Sequence, residues 1–204
     1  MQNIILIQSK PGLGKTLLAK TVAQALTERG IAADHFSMGD TLRGMLEGTV
    51  ESRYLDALRA YHYELSHHLP IPDAELTADI AGEFCEASAV RGVRVSVIDG
   101  YPRYAHLLLA FRRVVAQHKL NVMLLVVLEG SDELAASRIN GRDRQALGQA
   151  ENAAERLQNY ASESAPVVEG LTHEYPTLRI DALLELEQKT AKVIAAVAGK
   201  LATQ

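Results

Sequence analysis

A glycine-rich turn between an apolar run and a helical pattern constrains the fold of this chain more than any other feature. Residues 4–7 form an apolar run typical of a buried strand, and the apolar spacing after Lys15 predicts a helix. The turn between them contains Pro11, Gly12, Leu13, Gly14, Lys15 and Thr16. Its glycines let backbone N–H groups turn inward, the helix start adds a positive dipole, and the last two residues add an ammonium and a hydroxyl. The turn is therefore predicted to bind phosphate, with Lys15 at the terminal phosphate groups and Thr16 on Mg²⁺.

Ser9 departs from the common pattern of such a phosphate-binding loop (P-loop), whose first position is glycine. Serine can make the turn if its φ stays negative, so we expect the loop to keep its shape. The alternative interpretation is a glycine turn that only joins a strand to a helix. The Lys15-Thr16 pair, placed correctly after a strand, disfavours that alternative.

Composition limits the class of protein. With 204 residues, 48% of them hydrophobic and 23% charged, the chain can bury a full core as one domain, residues 1–204. The apolar runs are too short for a membrane span or a secretion signal, so we expect a cytoplasmic protein. We also expect a monomer. Cys85 is the only cysteine, which excludes an intramolecular disulfide and predicts a small buried side chain. The net charge of −4 argues against nucleic acid or an anionic membrane as a partner.

Strand and helix patterns alternate along the chain. Strands are predicted near residues 4–7, 31–37, 93–98, 122–128 and 178–180. This alternation predicts an α/β fold with a parallel sheet and helices on both faces. Ligands of such sheets bind beyond the carboxyl ends of the strands, where Asp40, Arg43, Asp99 and Arg103 fall.

Charged residues at these ends indicate phosphate chemistry. Asp99 follows an apolar strand directly, where a carboxylate can hold Mg²⁺ or its water shell; a helix cap or turn former is the alternative. Six arginines fall at predicted loop and helix ends: Arg43, Arg103, Arg138, Arg142, Arg144 and Arg156. Arg138 and Arg142 share a helix face, where like charges repel unless an anion lies between them. Phosphoryl transfer requires such positive charge, although a solvated surface arginine is the alternative for each.

Four segments resemble, in order and spacing, those of the adenylate kinase group of nucleoside monophosphate kinases. They are residues 37–43 (Ser-Met-Gly-Asp-Thr-Leu-Arg), 99–103 (Asp-Gly-Tyr-Pro-Arg), 138–142 (Arg-Ile-Asn-Gly-Arg) and 156–160, with Arg156, Leu157 and Tyr160. The resemblance covers nearly the whole chain. It implies a P-loop kinase fold with a five-stranded parallel core, a helical monophosphate-binding insert at residues 38–72 and a short lid at residues 139–150.

The resemblance also implies roles for individual residues, with nucleotides as the substrates. The implied catalytic residues are Lys15, Arg103, Arg138, Arg142 and Arg156. ATP, the implied donor, would bind Pro11, Gly12, Leu13, Gly14, Lys15, Thr16 and Arg138. The acceptor would bind Met38, Gly39, Arg43, Gly100, Arg103 and Leu107. Mg²⁺, the implied cofactor, would be held by Thr16 and Asp99, directly or through water.

The chain departs from the family where the acceptor base is read. The family usually has Thr where Met38 stands and Gln where Leu107 stands, and neither Met nor Leu can make the corresponding hydrogen bonds to adenine. His106 is adjacent and could substitute. The lid's usual Asp-Asp pair is also missing, and residues 145–148 (Gln-Ala-Leu-Gly) stand near its place. Residues 14–17 (Gly-Lys-Thr-Leu) differ from the family's Gly-Lys-Gly-Thr.

Three functions stay open at this point. The first is an ATP-dependent kinase of a nucleoside monophosphate, with the acceptor base undecided. The second is a P-loop kinase of another phosphorylated or small-molecule acceptor, which the lost base readers favour. The third is a nucleotide-binding regulator with weak catalysis, in which the changes at Ser9 and in the lid have removed turnover. Nucleotide binding without product would distinguish the third from the other two.

Overall fold

The protein is built on one five-stranded parallel sheet. The structure is a computed structural model that describes residues 2–66, 71–143 and 153–201. The strands are β1 (Asn3–Ser9), β2 (Ala33–Ser37), β3 (Val95–Asp99), β4 (Asn121–Glu129) and β5 (Thr177–Asp181). Their order in the sheet is β2-β3-β1-β4-β5, and all four neighbouring pairs are parallel. The prediction of an α/β fold with a five-stranded parallel sheet is confirmed.

Helices connect the strands. They are α1 (Lys15–Thr27), α2 (Met38–Leu46), α3 (Leu55–Arg59), α4 (His62–Ser66), α5 (Ala74–Val90), α6 (Leu108–Gln117), α7 (Asp132–Asp143), α8 (Ala153–Asn159), α9 (Ala165–Glu174) and α10 (Leu186–Leu201). A 3₁₀ turn, Ala105–Leu107, precedes α6, and a π-helical turn, Tyr160–Ser164, joins α8 to α9. The helical segment from α8 to α9 is therefore interrupted by the π-helical turn.

Two predicted strands begin later than expected. Ile31 and Val93 are apolar, yet each belongs to the end of the preceding helix, one residue after a glycine of positive φ. The N–H of Ile31 donates to Leu26 O at 3.1 Å, and the N–H of Val93 donates to Ser88 O at 3.0 Å. Such bonds close a helix carboxyl end, and an apolar residue commonly accompanies them. The strands start only after these caps.

Alternate residues of β1 face opposite sides of the sheet. Ile4 and Leu6 belong to a first core, formed with α2 to α6 and α9, whereas Ile5 and Ile7 belong to a second core, formed with α1 and α10. All four side chains are fully buried. Burying a side chain of this size contributes roughly 1.5–3 kcal/mol relative to leaving it exposed. Helices therefore cover both faces, as predicted.

Helices α2, α3 and α4 lie within the predicted insert, residues 38–72. Leu42, Leu58 and Leu65 bury their side chains in the first core, so this segment packs with the sheet. In the predicted lid, α7 continues to Asp143, and residues 144–150 lie outside the described residues. The roles of insert and lid stay predictions.

Two further expectations concern single features. Cys85 is 1% exposed within the first core, and burial raises the pKa of its thiol to about 12, so the prediction of a buried side chain is confirmed. Within the described ranges, no helix has both the length and the apolar character needed to cross a bilayer.

Candidate functional site

The P-loop joins the carboxyl end of β1 to the start of α1. Gly12 and Gly14 have φ of 83° and 89°, a region that side-chain-bearing residues rarely adopt. Gly14 is the N-cap of α1, and no side chain caps the first amides of this helix. Those N–H groups are therefore available to an anion. Ser9 keeps a negative φ, so the condition for serine at this position is met, and its Oγ donates to Lys10 O at 2.7 Å.

Helix α7 packs directly on the P-loop. A Cβ on Gly12 would lie 2.6 Å from Ala135 O, a distance that real Cβ atoms do not show, so only glycine permits this approach. Arg138, one turn further along α7, donates to Leu13 O at 3.5 Å and to Ala182 O at 3.2 Å. Its acceptors among the described residues are thus neutral carbonyls. A phosphate bound at the P-loop would give Arg138 a charged hydrogen-bond acceptor in place of these neutral carbonyls.

A second cation lies beside Arg138. Lys189 on α10 is 8% exposed, and its Nζ also donates to Ala182 O, at 3.2 Å. Burial, followed by the nearby Arg138 charge, lowers the pKa of Lys189. Two positive charges therefore meet at one carbonyl oxygen beyond the end of β5, next to the P-loop.

The two predicted magnesium residues lie in contact. Asp99, at the end of β3, is 1% exposed, and Thr16 Oγ1 donates to its Oδ1 at 3.0 Å. His35 Nε2 lies 2.7 Å from Asp99 Oδ2, and Ser37 Oγ lies 3.5 Å from Oδ1. His35 and Ser37 are two apart on β2, so both point to this side of the sheet.

This donor set suits Mg²⁺ in its usual protein setting. The hydroxyl of Thr16 and the carboxylate of Asp99 supply oxygen atoms, the ligands that Mg²⁺ prefers. Among the described residues, no group of three or more His, Cys, Asp or Glu side chains could hold a metal ion by itself. Mg²⁺ would therefore share its coordination between these oxygens, water and nucleotide phosphates.

Three predicted cationic residues, Lys15, Arg103 and Arg156, line one narrow pocket at the carboxyl edge of the sheet. The full lining is Gln8, Ser9, Pro11, Lys15, Gly100, Arg103, Arg156, Tyr160 and Ser164. Lys15 passes close to Gly100, since a Cβ there would lie 3.7 Å from Lys15 Cε. Burial raises the pKa of the Tyr160 phenol, and the nearby Arg103 guanidinium opposes that shift. An anion in this pocket would meet three positive charges.

A larger cavity, of about 240 Å³, lies between α5 and α6. Both arginines that line it are paired with carboxylates: Arg53 lies 3.4 Å from Glu83, and Arg113 forms an ion pair with Glu75. None of the described residues that line it belongs to the P-loop or follows a strand end. Four carboxylates line this cavity against these two arginines. Their excess negative charge disfavours an anion there, so the narrow pocket is the better candidate for phosphate.

The two predicted acceptor arginines have different surroundings. Arg103 lies in the narrow pocket and over the Tyr104 ring, 5.4 Å from its centroid. Among the described residues that line that pocket, Arg43 is absent. Its Nη1 lies 3.4 Å from where a Cβ on Gly39 would be, and its Nη2 pairs with Asp40 Oδ1 at 2.5 Å. Both members of this pair are about half exposed, and such pairs contribute little to stability, about 0–1 kcal/mol. An incoming phosphate could therefore displace Asp40.

The two altered base-reading positions lie in the first core. Met38 and Leu107 are each 5% exposed and pack in the same cluster. The neighbouring His106 donates from Nε2 to Ile71 O at 2.9 Å and stacks on Tyr104. Its ring is therefore already engaged by Ile71, near the end of the predicted insert.

Two predicted arginines cannot be placed. Arg142 lies in α7, but its side chain is outside the described residues, as is the whole of Arg144. Their roles stay predictions.

Sequence reasoning missed three polar residues of this region. His35 could have been found, because it lies two residues before Ser37 on a predicted strand. Lys189 gives no signal, since a lysine on an amphipathic helix is normally exposed. Ser164 gives none either, because the π-helical turn that positions it is not visible in the sequence pattern.

Comparison with known proteins gives whole-length relatives. No known family profile matches the chain. An adenylate kinase of Stenotrophomonas maltophilia is 28% identical over 204 residues, covering 96% of this chain and 99% of the relative. An adenylate kinase of Helicobacter hepaticus is 27% identical over 162 residues, which cover 78% of this chain and 78% of the relative. An adenylate kinase of Campylobacter hominis is 29% identical over 146 residues, which cover 71% of this chain and 69% of the relative. The predicted resemblance to the adenylate kinase group is confirmed.

Proposed function

We propose that this adenylate kinase-like chain is a kinase that transfers the terminal phosphoryl group of ATP to a nucleoside monophosphate, with Mg²⁺ as cofactor. The observation that carries the proposal is the single pocket lined by Lys15, Arg103 and Arg156 beside a P-loop. Relatives named adenylate kinase, at 26–29% identity, support it. A monomeric state, a cytoplasmic location and the absence of nucleic-acid binding stay predictions.

ATP would bind along the P-loop. The uncapped N–H groups at the start of α1 and the Lys15 ammonium would hold its β- and γ-phosphates, and Arg138 would exchange neutral carbonyls for a charged acceptor. Thr16 and Asp99 would hold Mg²⁺, which neutralises phosphate charge when bound. The His35 contact would fix the second oxygen of Asp99.

The acceptor's phosphate would lie between Arg103 and the transferring group. One of its oxygens attacks the γ-phosphorus of ATP while the bond from that phosphorus to the β–γ bridging oxygen breaks, and ADP leaves. A phosphate oxygen is already an adequate nucleophile, so no general base is required. Catalysis then consists of positioning and charge stabilisation, which Lys15, Arg103 and Arg156 would supply. Closure of the insert over both substrates would exclude water and prevent hydrolysis of ATP.

The acceptor base would be read weakly. Met38 and Leu107 pack in the core and cannot hydrogen-bond an adenine edge. An apolar pocket discriminates by only about 1–3 kcal/mol per methylene-sized difference, far less than a site that hydrogen-bonds its substrate. We therefore expect several monophosphates to be used comparably, or one other than AMP to be preferred.

A second candidate function follows from the same two residues. If the base is not read at all, the acceptor could be another phosphorylated small molecule, which Arg43 and Arg103 would still grip. A nucleotide-binding regulator is the third. The three differ in product: diphosphate of a nucleoside, a different phosphorylated compound, or none.

One panel tests these functions. Purified protein with Mg-ATP is incubated with AMP, CMP, UMP, GMP and dTMP in parallel, and ADP and each nucleoside diphosphate are measured. Reactions without acceptor, with EDTA and with the Lys15→Met variant are the controls. Formation of a nucleoside diphosphate that depends on Lys15 supports the proposal. ATP binding without any product would overturn it in favour of the regulator or of a kinase for an acceptor outside the panel. A preference for AMP above about a hundredfold would overturn the weak base reading.

A further inference from the structure

The π-helical turn between α8 and α9 brings two residues to the narrow pocket. The N–H of Ala165 donates to Tyr160 O, the wide i to i+5 bond of this conformation. The first and last residues of the turn, Tyr160 and Ser164, both line the pocket. Single π-helical turns are rare and are found frequently at functional sites.

The hydroxyl of Ser164 is an exception to the usual rule for buried polar groups. Ser164 is 2% exposed, and its Oγ makes no hydrogen bond to any part of the chain that the structure describes. By contrast, Ser162 in the same turn is exposed and donates to Asn159 O at 3.4 Å. Buried hydroxyls almost always have a partner, because leaving one without a partner opposes folding.

The pocket itself indicates the missing partner. Its charged side chains, Lys15, Arg103 and Arg156, are hydrogen-bond donors only. A ligand that satisfies them must supply several acceptor oxygens and negative charge, and such a ligand can also accept the one hydrogen of a hydroxyl. A phosphate group meets both requirements.

We propose that Ser164 donates a hydrogen bond to the phosphate of the acceptor and so is a substrate-binding residue of this site. This inference rests on the proposed function. The pocket lies between Pro11 and Lys15, expected at ATP, and Gly100 and Arg103, expected at the acceptor. We assign Ser164 to the acceptor side, and a loss of ATP affinity equal to the loss of monophosphate affinity in Ser164→Ala would overturn that assignment. The free volume there is about 10 Å³, room for about one water molecule, so the pocket must widen as the phosphate enters.

The test compares Ser164→Ala with the matched variant Ser162→Ala. Binding of the best monophosphate from the panel, of its nucleoside without phosphate, and of ATP is measured by calorimetry, together with the thermal midpoint. We expect Ser164→Ala to weaken monophosphate binding about ten- to a hundredfold, the effect of losing a hydrogen bond to a charged group. Nucleoside and ATP affinities stay within about twofold, and the midpoint is unchanged or higher because the hydroxyl has no partner in the free protein. Ser162→Ala leaves all four values unchanged.

Other outcomes decide the matter as well. Monophosphate binding within twofold of wild type in Ser164→Ala overturns the inference, as does equal weakening of nucleoside and monophosphate. Ser164→Cys, a variant of similar size with a weak donor, is made in parallel; if neither variant folds, the hydroxyl is structural and the inference is wrong. Wild-type protein that binds the monophosphate but forms no product overturns the proposed function alone, and wild-type protein that binds none overturns both.

Discussion

Asp99 is 1% exposed, so its carboxylate must be matched by hydrogen-bond donors within the protein. Thr16 reaches it from the P-loop, and His35 and Ser37 reach it from β2. One carboxylate thereby links three segments that the chain separates widely. They meet because the carboxyl ends of parallel strands, with the loop that follows β1, share one edge of the sheet.

Lys15→Met should abolish phosphoryl transfer while the fold persists. Its ammonium lies at the narrow pocket, where it would neutralise phosphate charge, and it lies outside both hydrophobic cores. By comparison, an arginine that stabilises a transferring phosphoryl group contributes on the order of 10³-fold or more to the rate. Turnover and thermal midpoint are measured beside Lys20→Met, an exposed lysine of α1. Activity of Lys15→Met within about twofold of the control, at an unchanged midpoint, would contradict the phosphate assignment.

Arg103→Ala should raise the KM for the acceptor and lower kcat, with a much smaller effect on ATP. A guanidinium can grip a phosphate with two charge-assisted hydrogen bonds, each contributing roughly 1.5–3 kcal/mol. The matched control is Arg112→Ala, because Arg112 forms an ion pair with Glu174 on the surface. Initial rates are measured with each substrate varied in turn. Equal weakening of ATP and acceptor binding would argue against separate binding sites for the donor and the acceptor.

Lys189→Met should weaken ATP binding without loss of stability. The buried ammonium adds positive charge beside Arg138, and its lowered pKa shows that the folded protein disfavours the charged form. We expect the Kd for ATP to rise about three- to tenfold and the thermal midpoint to stay equal or rise. Lys200→Met is the matched control: Lys200 is on the same helix and donates to Met123 O at 2.7 Å, near the amino end of β4 and away from the P-loop. ATP affinity unchanged in Lys189→Met would refute this role.

At the scale of elements, the sequence predicts what local patterns determine. The strand, glycine turn and helix of the P-loop were predictable because residues 4–16 carry the whole signal. The placement of Asp99 followed from a strand end in the same way. By contrast, His35, Ser164 and Lys189 owe their surroundings to contacts with distant segments, and local periodicity contains no information on such contacts. The π-helical turn was missed because one widened turn barely changes an apolar pattern.

Gly12→Ala should separate two elements that glycine alone allows to touch. Alanine at this position would have a strained backbone, because its φ is 83°. Its Cβ would also lie 2.6 Å from Ala135 O, so the P-loop and α7 must move apart. We expect ATP binding to fall at least tenfold and the thermal midpoint to fall by about 4–8 °C, from a cost of about 2 kcal/mol.

Substitutions at two other glycines separate the effect of backbone strain from the effect of the contact with α7. Gly14→Ala has the backbone strain without the contact, because no atom lies within 4 Å of its Cβ position at a φ of 89°. Gly170→Ala, in α9, has neither and should be neutral or stabilising. Calorimetry and thermal unfolding of the three variants check these outcomes. A Gly12→Ala variant no less stable than Gly14→Ala would show that α7 does not press on the loop.

At the scale of the whole molecule, the sheet couples two cores. Leu13 of the P-loop belongs to the second core, whereas Cys85 of α5 belongs to the first, on the other face. Strand β1 contributes to both, through Ile4 on one face and Ile5 on the other. If folding is cooperative across the sheet, a ligand at the P-loop should protect a residue of the opposite core.

Cys85 allows that coupling to be measured, because it is the only cysteine. Burial and the thiol's raised pKa, about 12, make it unreactive until the first core opens. At pH 8 the thiol should react with a disulfide reagent far more slowly in native than in denatured protein. ATP at a hundred times its Kd stabilises the folded state by about 2.7 kcal/mol and should slow the reaction about a hundredfold if opening is global. The Lys15→Met variant, in which we expect weaker ATP binding, is the matched control and should show little slowing. A rate that ATP leaves unchanged in the wild type would mean that α5 opens by itself and that the two cores unfold separately.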